Sequence, residues 1–128
     1  MESESLNDLV GVAYVPYKAS PQAGFDCYTL MLEVGRRLEL NFPEIDYSLD
    51  ESLRDELISH HAAAFQRVEN PGFGDVVVIR SVAFATHLGV MLNRYKFIHT
   101  TRDTGCIISR TDTPRYSSRI EGFYRCIR

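Results

Sequence analysis

Long apolar runs are missing from this chain: none approaches the roughly 20 residues that cross a bilayer, so no membrane partner is expected. Cysteine is scarce. The three present, Cys27, Cys106 and Cys126, are odd in number, far apart and without a Cys-x-x-Cys pair. That rules against a disulfide framework and a thiolate zinc site. Internal repeats, low-complexity tracts and linker-like stretches are also missing, so residues 1–128 are expected to form one domain. The opening Met1-Glu2-Ser3-Glu4-Ser5 has neither the basic nor the apolar segment of a secretory leader. Cytoplasmic synthesis without a signal peptide follows as an expectation.

Charge is present but divided. Residues 1–79 carry 5 Lys/Arg against 14 Asp/Glu, a net of −9, whereas residues 80–128 carry 9 against 3, a net of +6. The arginines of the basic half (among them Arg94, Arg102, Arg110, Arg115 and Arg119) are widely spaced and form no nucleic-acid motif, so no nucleic-acid partner is expected. Either the two halves attract each other within one fold or the basic half meets an acidic partner.

A short helical lead-in is expected over the first ten residues, then an irregular loop from Gly11 to Gly24, broken by Pro16 and Pro21. Asp26 is a good helix cap. Behind it Cys27, Leu30, Met31, Val34 and Leu38 recur on one helical face, with Glu33 and Arg37 as an i,i+4 pair and Pro43 as the stop. Ser48-Leu49-Asp50-Glu51 opens a second helix running to about Phe65, with Ala64 inward. Then the texture changes to strands at Val76–Arg80, Leu88–Asn93, Lys96–Thr100, Cys106–Arg110 and Gly122–Ile127. Helices followed by consecutive strands predict an α+β fold, with N-terminal helices packed on an antiparallel sheet.

Cysteine chemistry needs a thiolate, and a helix start favours one through its unpaired N–H groups and dipole. Cys27, directly after the cap, has that position, and the same amides are available in principle to an oxyanion. It is equally the position of the first inward residue of an amphipathic helix. Cys106 and Cys126 lie in apolar strands, where a free cysteine behaves as a small hydrophobe. Among four histidines, His60 and His61 sit together on the second helix without a nearby partner, while His87 and His99 flank one hairpin. A three-residue loop, Asn93-Arg94-Tyr95, sets Gly89 opposite His99 and His87 diagonal to it on the same face; a two-residue loop separates them. In the first geometry His87 can serve as base for Cys27 and His99 can orient it. Two unrelated strand histidines is the alternative.

Gly24-Phe25-Asp26-Cys27, Gly74-Asp75-Val76-Val77, His87-Leu88-Gly89-Val90 and Phe97-Ile98-His99 together resemble, in order and spacing, the motifs of the NlpC/P60 cysteine peptidases. The ending Arg119-Ile120-Glu121-Gly122-Phe123-Tyr124-Arg125 resembles the closing strand of the phage tail-associated branch. The resemblance implies a papain-like core that hydrolyses the peptide stems of peptidoglycan without a metal or organic cofactor, with phage tail proteins as partners. It also implies Cys27 as nucleophile, His87 as general base, His99 as third member and Tyr17 as a hydroxyl near the oxyanion. A packing role for Tyr17 in the loop remains the alternative. Asp26 is expected chiefly as the cap, with substrate contact as a secondary role. The chain departs from the family pattern at Ala19-Ser20-Pro21-Gln22-Ala23, where a Gly-Gly turn is usual, and at Tyr28 and Thr29, where small residues are usual. Tyr28 is expected to narrow the groove or to touch substrate. A tail assembly or adaptor protein on the same fold, and an acyltransferase or amidase, are the competing functions.

Overall fold

The computed structural model describes residues 6–40, 42, 64–80 and 86–127. A 3₁₀ turn at Asn7–Leu9 leads in, and a minimal hairpin pairs β1 (Ala19–Ser20) with β2 (Gly24–Phe25) inside the segment expected to be irregular. Helix α1 (Cys27–Arg37) follows. Its cap is Asp26, whose carboxylate accepts from the Tyr28 and Thr29 amides, while the Thr29 hydroxyl accepts from the Asp26 amide. This is a capping box in which both ends are satisfied. Thr29 at the position where the family pattern has a small residue is therefore a structural device.

The helix ends earlier than Pro43 implies. Glu39 adopts a left-handed φ of 62°, the Leu40 amide donates to the Gly35 carbonyl and the Glu39 amide to that of Arg36. That is a Schellman closure with glutamate in the place glycine usually takes. Arg37 reaches Glu33 at 2.8 Å, as the spacing predicts, and also Asp8 at 2.5 Å, which ties the lead-in to the helix.

Six further strands form one antiparallel sheet: β3 (Phe65–Val68), β4 (Val76–Arg80), β5 (Thr86–Met91), β6 (Lys96–Thr101), β7 (Gly105–Arg110) and β8 (Ile120–Cys126), in the order β3-β8-β4-β5-β6-β7. Strand β3 begins at Phe65, so the second helix cannot reach that residue; its expected body, with His60 and His61, lies outside the described residues. Ala64 is buried, as expected.

Helix α1 packs on β5 and β6. Cys27, Leu30, Met31 and Val34 share one buried cluster with Val76, Val78, Leu88, Val90, Ile98 and Cys106. Burying each large aliphatic side chain of that set contributes about 1.5–3 kcal/mol. The opposite face carries a second cluster of Val77, Ile79, Met91, Phe97 and Tyr116. Strand β4 is buried on both sides, which explains its uninterrupted Val-Val-Val-Ile run. Cys126 is only half-buried, unlike Cys106. Among the described residues no helix is long and apolar enough to cross a membrane.

Candidate active site

Strand pairing decides where the histidines go. Val90 pairs with Ile98 and Met91 with Phe97, and the Leu92 amide donates to the Lys96 carbonyl, leaving Asn93-Arg94-Tyr95 as the turn. This is the odd loop that sets His87 and His99 on one face. Their rings meet, with His87 Nε2 2.7 Å from His99 Nδ1. Gly89, on the same face of the strand as His87, leaves room for Phe97: a Cβ there would stand 2.8 Å from a Phe97 ring carbon and 3.2 Å from the Ile98 carbonyl oxygen.

The pair has a third partner that the sequence motifs do not include. His99 Nε2 lies 2.8 Å from Ser109 Oγ on β7. The signal for it was available in principle. Another three-residue turn, 102–104, pairs Phe97 with Ser109 and leaves His99 diagonal to it. Phe97 and Tyr116 flank the His99 ring with centroids at 4.4 and 5.5 Å, the latter edge-on. His99 is fully buried. Burial first, then the nearby His87 and Arg115 charges, push its pKa down from 6.5 to about 3, so the imidazole is neutral at neutral pH.

Cys27 is the first residue of α1 and is buried. Backbone bonds set the end of the sheet from which α1 departs. Gly11 and Val12 bond to Cys106 near the start of β7, and Ala13 and Val15 bond to Phe25 just before the helix. Gly105, at φ 67°, allows this approach, because a Cβ there would stand 2.7 Å from the Val12 carbonyl oxygen. Thr101 at the end of β6 pairs with Gly105, and β5 begins beside it at Thr86. The start of α1 and the His87 end of β5 therefore occupy the same end of the sheet. Along β5, Leu88 and Val90 face α1, and His87 leaves on the alternate side with Met91.

Asp26 does more than cap. Its Oδ2 accepts from the Tyr17 amide at 2.8 Å, which holds Tyr17 in a left-handed backbone conformation at φ 66°. A non-glycine residue there costs about 1 kcal/mol or more, which the carboxylate offsets. Tyr17 thus stands beside the helix start with 43% of its surface exposed. Asp26 is 1% exposed and its carboxylate accepts from three amides, so it anchors the loop to the helix start. Tyr28 is also 1% exposed and packs in the core cluster that holds Cys27. The same bonds narrow the oxyanion options: the amides of Tyr28, Thr29 and Leu30 are all committed to Asp26.

The Gly74-Asp75 motif proves architectural. Asp75 is buried, accepts from the Gly72 amide and holds Arg125 of β8 through two bonds of 3.0 and 2.9 Å. Among the described residues no group of His, Cys, Asp and Glu is arranged to hold a metal ion.

Comparison with known proteins covers most of the chain. The NlpC/P60 family model matches residues 11–125. A solved structure from Staphylococcus aureus, described as similar to a lipoprotein of the NLP/P60 family, superposes with a TM-score of 0.69 at 21% identity. It covers 96% of this chain and 39% of its own. An NlpC/P60 family protein from Bacillus cereus superposes with a TM-score of 0.68 at 17% identity, covering 99% of this chain and 42% of its own. At these identities the likeness establishes the fold, and this chain spans about two-fifths of either protein. No curated protein matches the sequence.

Proposed function

Because the chain belongs to the NlpC/P60 family, we propose that it is a cysteine hydrolase of cell-wall peptides, with Cys27 as nucleophile, His87 as general base and His99 as the residue that orients it. The observation that carries this is the 2.7 Å contact between His87 Nε2 and His99 Nδ1, at the end of the sheet from which Cys27 starts α1. With Nε2 turned to His99, the nitrogen of His87 that serves the thiol is Nδ1. His87 leaves β5 on the face away from α1, so the proposal requires its ring to reach Cys27 around the start of the strand.

In the reaction, His87 takes the thiol proton and the Cys27 thiolate attacks the carbonyl carbon of the scissile amide. The tetrahedral oxyanion draws on the Cys27 amide and the Tyr17 hydroxyl, because the next three amides are bound to Asp26. The C–N bond then breaks as the His87 imidazolium gives its proton to the leaving amine, and a thioester remains. Water, losing a proton to His87, attacks that thioester. The C–S bond breaks, the acid leaves, and the thiol and neutral imidazole are restored.

Peptidoglycan stem peptides as substrate, and service within a phage tail, are the finer parts of the proposal. Support for the tail comes from the closing strand alone, which here is β8. The test is a digest of purified peptidoglycan. The wild type is expected to release new amino termini and Cys27→Ala to lose at least about a thousandfold in rate. Equal products from both proteins, or none from either, would overturn the hydrolase.

A further inference from the structure

We infer that Ser109 is a positioning residue of this site, at the far end of a His87–His99–Ser109 chain, whose hydroxyl supplies the acceptor required by the His99 tautomer on which the proposed base depends. The inference rests on the cysteine-hydrolase proposal for its catalytic consequence, but not for the tautomer itself.

Two contacts define the chain, His87 Nε2 to His99 Nδ1 at 2.7 Å and His99 Nε2 to Ser109 Oγ at 2.8 Å. Each holds one proton. The buried His99 ring is neutral, so it carries one N–H and offers one lone pair. Only two arrangements satisfy both contacts. In the first, Ser109 donates to His99 Nε2, His99 Nδ1–H donates to His87 Nε2, and a neutral His87 then bears its proton on Nδ1. That nitrogen has no lone pair for a thiol proton. In the second, His87 Nε2–H donates to His99 Nδ1, and His99 Nε2–H donates to Ser109 Oγ. Here His87 Nδ1 has its lone pair, and the imidazolium that forms keeps the same bond to His99.

The second arrangement requires an acceptor at His99 Nε2. Phe97 and Tyr116 flank the ring, and Ser109 Oγ supplies that acceptor from the neighbouring strand. A serine hydroxyl both accepts and donates, so it tolerates either arrangement. Removing it leaves a buried N–H unpaired in the productive tautomer and favours the unproductive one. Ser109 touches neither Cys27 nor substrate in this scheme and acts through His99 alone.

The test combines nitrogen NMR of the histidine rings with kinetics on peptidoglycan fragments. In the wild type at neutral pH, His99 is expected to carry its proton on Nε2, with Nδ1 showing the shift of an unprotonated ring nitrogen. Ser109→Ala is expected to move His99 toward the Nδ1–H form and to lower kcat about tenfold with little change in KM. Ser109→Thr keeps the hydroxyl on a β-branched residue suited to a strand, and is expected to restore both the tautomer and kcat. An Nδ1–H tautomer in the wild type, an unchanged tautomer in Ser109→Ala, or a threonine variant as slow as the alanine variant would overturn the inference. Failure of the hydrolase proposal shows separately, as a wild type without Cys27-dependent products, and the NMR result decides the Ser109 role in either case.

Discussion

His99 shows how a buried ionisable side chain can serve a site by staying uncharged. Its pKa falls from 6.5 to about 3, chiefly through burial. The unfolded chain therefore binds a proton in that window and the folded chain does not. Stability from the neutral ring is fully present above about pH 6.5 and is lost as the pH falls toward 3. Between pH 7 and pH 5 the wild type is expected to lose about 2 kcal/mol more stability than His99→Asn, measured by urea unfolding at both pH values. An identical pH dependence in the two proteins would contradict the assignment. The His87–His99 meeting was legible in the sequence, because the parity of a three-residue turn determines it. Ser109 was less so: its role needs the register of a third strand, and serine carries no distinguishing pattern of its own. Asp26 was read correctly as a cap, but the bond to Tyr17 joins residues nine apart through a loop, which periodicity does not report.

At the scale of elements, the start and buried face of helix α1 are legible in its apolar spacing, and the central strands in their β-branched runs. Three features are not. The stop at Glu39 uses a residue that ordinarily avoids the left-handed region, so Pro43 is the more visible signal in the sequence. Strand β3 lies at the sheet edge with Gln66 and Arg67 exposed, and has too little alternation to stand out. The β1–β2 hairpin has two residues per strand, below the length at which a period can be read. The Glu39 strain is testable. Glu39→Gly relieves it and is expected to raise stability by about 0.5–1 kcal/mol in chemical denaturation, despite glycine's greater freedom in the unfolded chain. Unchanged or lower stability would show that the turn is not strained.

Across the whole molecule, the α+β class followed from the order of elements, but the place of β8 did not. The last strand enters the middle of the sheet between β3 and β4, where sequence order gives no guidance. Its position is secured by packing of the half-buried Phe123 against the second cluster and by Arg125 on Asp75, a pair that joins the acidic and basic halves of the chain. Other arginines of the basic half, Arg94, Arg110, Arg115 and Arg119, stand over the rings of Tyr95 and Tyr116. The sheet thus organises one face around α1 and the other around His99, and the proposed chemistry runs where the two meet, at the start of β5. Cysteine reactivity reports on that junction most directly. Burial pushes the Cys106 thiol up to about 12, so it is a built-in slow reference. Iodoacetamide labelling across pH, resolved by mass spectrometry, is expected to modify Cys27 well before Cys106 at neutral pH, and His87→Ala is expected to shift the Cys27 profile to higher pH. Cys27 labelling as slowly as Cys106, or a profile indifferent to His87, would contradict the account.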